Sequence, residues 1–561
     1  MIQYVYDRLQ FLFTKRKIMT DNPVWRWFDN TFLDLGRHFR WSYLPPLMIY
    51  LAAGVQGLTA IVGTFFIKEY LDLSAAFLAG LAFWAGIPWT LKMPLGHLVD
   101  LIWRRKALLV YIGAGLITLS ILIMYSIIAH TQAMAEIMKV EIWFVIATLL
   151  APTGYVVQDV VADAMTVEAV PTINEHGDPY PDEEIKVMHT TMQTLGRFAI
   201  IGGLAAVAAL NITMFSGVED MSEEMKVAIY ADIYLMALAI PLLSISGVIL
   251  GGIILKRRAQ RLRELGQDHA AIDKLLYAPA GETHPNWWIL GGSLVFAIFT
   301  LTMGISQVPF AQEIIFLGSM AIILFLMYRL MLELDPEMRN MLIGTAVIIF
   351  VFRATPLPGP GATWFEIDVL GFDQQFLSVL SLIASLLTLV GMVVLRPMLA
   401  RRSIAYVIVI LTIASAILAL PNIGLYYGLH EWTAAHTGGV VDARFIAVID
   451  TMMESPLGQI SMIPMLAWIA KNAPAHLKAT FFAVMASFTN LALSASSLGT
   501  RYLNEIYTVT REVRDRVDDI VTTAADYSEL GWVLITVMLI GLLAPLLTVF
   551  IVQRSRLHTT Q

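Results

Sequence analysis

The sequence predicts an all-α polytopic membrane protein, and three observations carry that reading. Of the 561 residues, 57% are hydrophobic and only 14% charged, with a mean hydropathy of +0.69, whereas soluble chains carry about 25% charged residues. Apolar runs of about 20 residues recur along almost the whole chain, each long enough to cross a hydrocarbon core of roughly 30 Å. These runs are apolar on all sides, which excludes a membrane β-barrel, whose strands of roughly 10 residues alternate between lipid and lumen. A net charge of −7 and a pI near 5.9 supply no basic field for nucleic acid. The absence of cysteine removes disulfides, thiolate metal sites and cysteine nucleophiles together.

In chain order, residues 1–42 mix Tyr4, Tyr6, Phe11, Phe13, Trp25 and Trp27 with basic residues, which suits a helix lying on an anionic leaflet. Lys15, Arg16 and Lys17 follow the short apolar stretch here instead of preceding it, so a cleavable signal peptide is not expected. Spans are expected near 43–66, 74–95, 107–129, 141–167, 188–212 and 228–255. A charged connection, 256–285, leads to two further spans, 286–308 and 312–333. Six more follow at 340–356, 374–395, 403–427, 444–470, 476–503 and 529–553, making about fourteen. The loop 168–187 reads as a solvated hinge and 504–528, of mixed charge, as a short helical cap. Lysine and arginine placement orients the chain: with both termini cytoplasmic, roughly 26 of the 37 basic residues fall on the inner side. A bacterial inner membrane is the expected location.

Removing 286–333 leaves six spans on each side. The expected organisation is an N-terminal segment 1–42, a six-helix half 43–255, a loop with two extra helices 256–339, a second six-helix half 340–553 and a tail 554–561. A faint internal echo supports two related halves: Pro152-Thr153-Gly154 in the fourth span and Pro456-Leu457-Gly458 in the fourth span of the second half.

Ionisable residues inside spans mark function, because each costs roughly 2.5–3.5 kcal/mol at mid-membrane and faces a cavity or a partner. Asp159 and Asp163 lie four apart in the fourth span, on one helix face, where like charges resist joint ionisation. Arg197, in the fifth span, is the expected counter-ion. The second half offers Arg353, and Asp450 with Glu454, again four apart. Lys92, near the inner end of the second span, is expected to snorkel to the interface. Between the second and third spans stands GHLVDLIWRRK, whose Gly96, Asp100, Arg104, Arg105 and Lys106 combine a small residue for helix approach, an acceptor for a helix N-terminus and a basic anchor. No HExxH pair, P-loop or GxSxG elbow occurs, so no enzyme, metal or cofactor is expected.

That loop resembles the signature loop of the major facilitator superfamily, with Leu101 where a basic residue is usual and Trp103 where a second glycine is usual. Longer stretches are similar to one branch of it, the folate–biopterin transporter family and the related bacterial muropeptide permeases. These are IPWTLKMPLGHLVD (Ile87 to Asp100), VVQDVVADAMTVE (Val156 to Glu168), LGRF (Leu195 to Phe198), FRATPLPGPGATWFEIDVLGFD (Phe352 to Asp373) and HLKATFFAVMASFTNLALSASSLG (His476 to Gly499). The resemblance implies two six-helix halves rocking about a midplane site, and secondary active transport of an organic anionic solute of folate or pterin type, coupled to protons. A muropeptide permease and a non-transporting assembly factor for a membrane complex are the alternatives. Partners implied are a small-molecule substrate, protons and membrane lipid, with a monomer expected unless the chain joins a larger complex.

Overall fold

A computed structural model of the chain describes residues 39–71, 73–90, 92–171, 173, 179–276, 308–332, 334–401, 403–454, 478–514 and 521–557, with isolated positions between 287 and 303. The first half opens with a broken helix. α1 (Leu44–Val55) begins on Pro45 and Pro46, whose missing N–H groups cost nothing in a first turn, and a 3-10 turn at Gln56–Thr59 joins it to α2 (Ala60–Tyr70). α3 (Ala75–Thr90) and α4 (Lys92–Leu101) follow, then α5 (Ala107–Ala129), α6 (Val140–Ala169), α7 (Asp182–Met214), α8 (Glu223–Ala237) and α9 (Ala239–Glu264). α9 ends in a basic extension, and α10 (His269–Leu276) folds back beside it through Ala259, Leu262 and Ile272.

Beyond it come α11 (Ala311–Met331), α12 (Pro336–Arg353), the short α13 (Pro360–Asp368), α14 (Gln374–Arg401), α15 (Ile404–Tyr426), α16 (Leu429–His436), α17 (Ala443–Glu454), α18 (Lys478–Ile506) and α19 (Leu530–Arg554). Ser403 caps α15, its hydroxyl accepting from the Tyr406 N–H. Among the described residues, eight helical stretches are long and apolar enough to cross a membrane, and Ala75–Trp89 and Ala311–Phe325 are shorter apolar ones. Residues 1–38, most of the expected span 286–308, the far part of 444–470 and the Pro456-Leu457-Gly458 echo lie outside the described residues.

One expected element is of the wrong type. Among the described residues of 504–528 there is no helical cap beyond the end of α18; β1 (Val513–Arg514) pairs antiparallel with β2 (Val521–Thr523), and Thr510 bridges Asp526. Val509, Val513, Val521, Thr522 and Thr523 explain it, since β-branched side chains favour extended backbone. This hairpin marks one end of the bundle. The opposite, basic end carries Arg104 to Lys106 and the extension of α9.

Among the described residues, the two largest apolar clusters lie one in each half. Val62, Ile117, Ile127, Phe144, Tyr230 and Ile233 centre the first, while Leu342, Ile348, Ile349, Ile408 and Leu491 centre the second. Large apolar side chains such as Ile112, Leu242, Ile417, Leu420 and Ile551 remain exposed, as expected of a fold whose solvent is lipid. Two crossings are tight. A Cβ on Gly54 of α1 would stand 2.0 Å from the Ile200 carbonyl oxygen of α7, and one on Gly113 of α5 or Gly154 of α6 would stand 2.6 Å from the other's carbonyl oxygen. The glycine of the Pro152-Thr153-Gly154 tripeptide therefore brings α6 against α5.

Candidate functional site

α6 is clamped before it offers its acids. Gln158 is 2% exposed; its Nε2 donates to the Val110 carbonyl of α5 at 3.2 Å, and its Oε1 accepts from Ser244 Oγ of α9 at 3.0 Å. The next residue, Asp159, is thereby turned the other way, toward α4. There Lys92 Nζ stands 2.6 Å from Asp159 Oδ2 and 2.7 Å from Asp163 Oδ2, bridging both carboxylates. Tyr50 of α1 donates to Asp163 Oδ1 at 2.6 Å. Two acids one helical turn apart are thus held by one cation and one hydroxyl, the satisfied arrangement a buried ion pair requires.

This geometry revises two expectations. Lys92 does not snorkel; with two carboxylates within hydrogen-bond reach, its ammonium gains more from them than from the interface. Arg197 is not their direct counter-ion. Its side chain is exposed and makes no ion pair among the described residues, although it is near enough to Asp159 for longer-range attraction. Arg353 of α12, from the other half, lies near enough to Arg197 for their like charges to interact. Arg353 Nε is buried and has no hydrogen-bond partner among the described residues. A cavity of about 430 Å³ adjoins this region, lined among others by Gln56, Thr59, Trp89, Thr148, Tyr155 and Tyr234. Tyr155 lies one turn before Asp159 and Trp89 three residues before Lys92, so the cavity stands on the hairpin side of the ion cluster.

The other candidates lie apart. Asp450 is 6% exposed and accepts from Asn422 Nδ2 at 2.9 Å. Near it is Glu366 of α13, a connecting helix outside the spans, whose burial, with the Asp450 charge, pushes its carboxyl up to about 7. The side chain of Glu454 falls outside the described residues. In the basic loop, Lys106 Nζ pairs with Glu168 Oε1 at 2.7 Å and lies 4.1 Å from the Trp103 ring centroid, giving the tryptophan at the glycine position a local role. Arg104 pairs with Asp273 of α10, tying the connection 256–285 to this loop. Arg105 is exposed. Among the described residues nothing lies within 4 Å of a Cβ added at Gly96. The Asp100 side chain lies outside the described residues.

The halves meet where α3 leads into α4, opposite the middle of α18, and again at the hairpin end. Asn490 Nδ2 of α18 donates to the Trp89 carbonyl of α3 at 3.1 Å, and Gln374 Nε2 of α14 donates to Tyr230 Oη of α8 at 2.8 Å. Neither contact is signalled by charge or spacing.

Comparison with known proteins places this architecture. Residues 287–560 match the BT1 family. The chain has the major facilitator fold. A folate–biopterin transporter of Synechocystis sp. is 23% identical over 482 residues, covering 85% of this chain and 77% of that protein. A POT family transporter solved with 5-aminolevulinic acid superposes with a TM-score of 0.57 at 11% identity, covering 94% of this chain and 96% of the other. A D-xylose–proton symporter gives 0.50 at 12% identity, covering 90% and 95%. At such identities the solved structures establish the fold alone. Within BT1 terms, the matched segment contains Arg353 and Asp450, whereas the Lys92, Asp159 and Asp163 cluster belongs to the preceding half.

Proposed function

We propose that the protein carries an organic anion across the membrane by rocking its two halves, with protons driving the cycle. The observation that supports this best is the pair Arg197 and Arg353. The acids of α6 are already engaged by Lys92, whereas Arg197 and Arg353, from opposite halves, lie near enough for their like charges to interact, and Arg353 has a buried Nε without a hydrogen-bond partner among the described residues. A buried N–H without an acceptor is costly, and an anionic solute that accepts from the Arg353 Nε offsets that cost. Because the arginines belong to different halves, the anion's charge also relieves the repulsion that opposes their approach. Arginine suits the role, since its planar fork binds carboxylates in bidentate fashion.

The ion cluster supplies the coupling. Protonating Asp159 weakens its hold on Lys92, and rocking that changes these contacts changes the proton affinity of the acid, which is what coupling requires. The halves are joined at the hairpin end by the Gln374 contact and nearer the middle by the Asn490 contact, while the Asp163 side chain keeps 44% of its surface exposed. With the basic end assigned to the cytoplasm, this is an inward-facing state. The likeness to the Synechocystis folate–biopterin transporter makes folates and pterins the first solutes to try.

Uptake of radiolabelled folic acid and biopterin into proteoliposomes, under an imposed pH gradient and by counterflow without one, tests the proposal. Arg353→Gln is expected to lower both by tenfold or more. Asp159→Asn is expected to lose gradient-driven uptake and keep counterflow. Normal gradient-driven uptake by Asp159→Asn would reduce the cluster to a structural ion pair, and full activity of Arg353→Gln would remove the anion site.

A further inference from the structure

The described part of the inserted segment, α11, packs along most of its length on the second half: Ile323, Met327 and Met331 are buried with Leu342 and Ile349 of α12 and Phe488 of α18. Its first turns, at the hairpin end, do something different. Ile315 is fully buried in a cluster with Phe83 and Ile87 of α3 and Leu498 of α18. Gln312 uses both ends of its amide. Its Nε2 donates to the Gly80 carbonyl of α3 at 3.2 Å, and its Oε1 accepts from Arg501 Nη1 of α18 at 3.0 Å. Glu313 pairs with Arg501 at 3.6 Å and accepts from Tyr502 Oη. Gly80 permits the approach, because a Cβ there would stand only 3.1 Å from Gln312 Nε2.

These contacts divide unequally between the halves. Glu313, Arg501, Tyr502 and the long apolar seam tie α11 to the second half. Among the described residues, the Gln312 hydrogen bond to Gly80 and the packing of Ile315 and Phe316 on the Phe83 and Ile87 cluster cross to the first half. We propose that α11 is a latch: it moves as part of the second half and holds the hairpin end shut by gripping α3 through Gln312 and Ile315. When the halves part at that end, the Gly80 carbonyl exchanges Gln312 for water while Arg501 keeps its hold on α11. A single neutral hydrogen bond next to a small apolar contact suits such a device, since its net worth is modest and it can be remade in every cycle. The latch rests on the rocking of the two halves proposed above, but it makes no reference to the solute.

The test therefore needs no substrate. The chain has no cysteine, so Phe77→Cys in α3 and Ile506→Cys in α18, both at exposed positions at the hairpin end, accept spin labels specifically and report the gap between the halves by pulsed electron–electron resonance. Gln312→Ala in this background is expected to raise the long-distance population at least threefold. Gln312→Glu is the second variant. It keeps an acceptor for Arg501 while losing the donor to Gly80, so it preserves the tie to the second half and is expected to open the gap at least as much. Glu313→Gln, which disturbs only contacts within the second half, is expected to leave the distribution unchanged. Unchanged distances in both Gln312 variants, or equal opening by Glu313→Gln, would overturn the latch whatever the solute proves to be.

Discussion

Lys92→Met removes the one cation that bridges Asp159 and Asp163 and keeps the stem's volume. With charge centres about 3.5 Å apart, each Lys92–carboxylate attraction is worth roughly 5 kcal/mol at an effective dielectric of 20, and much of that offsets the cost of burying the groups. Removing one member of a buried pair costs about 3–5 kcal/mol because it strands the remaining charge. The lower figure fits here, since Asp163 is 44% exposed and keeps the Tyr50 hydroxyl at 2.6 Å. Asp159→Asn should cost about 1 kcal/mol, because Lys92 retains Asp163. The double variant Lys92→Met/Asp159→Asn should recover about 2 kcal/mol relative to Lys92→Met, since it removes the more buried of the two stranded acids. Unfolding of the four proteins in one detergent, followed by tryptophan fluorescence, closes the cycle. A double variant no more stable than Lys92→Met would mean that the charges do not interact and that the close contacts are incidental.

The remaining predictions concern the ends and the crossings. Glu366 holds its proton up to about 7, against 4.5 in an unfolded chain. The folded protein therefore binds the extra proton between these values, and stability falls by about 3 kcal/mol as pH rises through that window. Glu366→Gln should flatten the pH dependence of the unfolding midpoint, and an unchanged slope would show that another group is responsible. Gly154→Ala should destabilise by about 2 kcal/mol, because the new Cβ meets the Gly113 carbonyl. Gly115→Ala, also on α5 but with nothing within 4 Å among the described residues, should be neutral or stabilising by up to about 1 kcal/mol, and equal effects in the two variants would refute the crossing as the cause.

Composition and run length alone determined that this chain is a polytopic helical membrane protein. A hydrocarbon core demands long apolar helices, and no folded arrangement can conceal them. The close approach of α6 to α5 at Gly154 left a trace in the Pro152-Thr153-Gly154 tripeptide, and the shared face of Asp159 and Asp163 followed from helical spacing. What spacing could not supply was the partner. Arg197 is nearer in sequence, but ion pairing depends on which helix faces which, and the clamp of Gln158 on Val110 and Ser244 turns Asp159 toward α4 and Lys92. The hairpin at Val513–Arg514 and Val521–Thr523 was obscured for the opposite reason: its mixed charge drew attention away from the β-branched residues that set its backbone. The inserted helix α11 shows the limit most clearly. Its apolar length is written in the sequence, but only tertiary packing decides that Gln312 meets Gly80 from one half and Arg501 from the other, because a contact between residues 232 positions apart arises from the assembled seam and has no local signal.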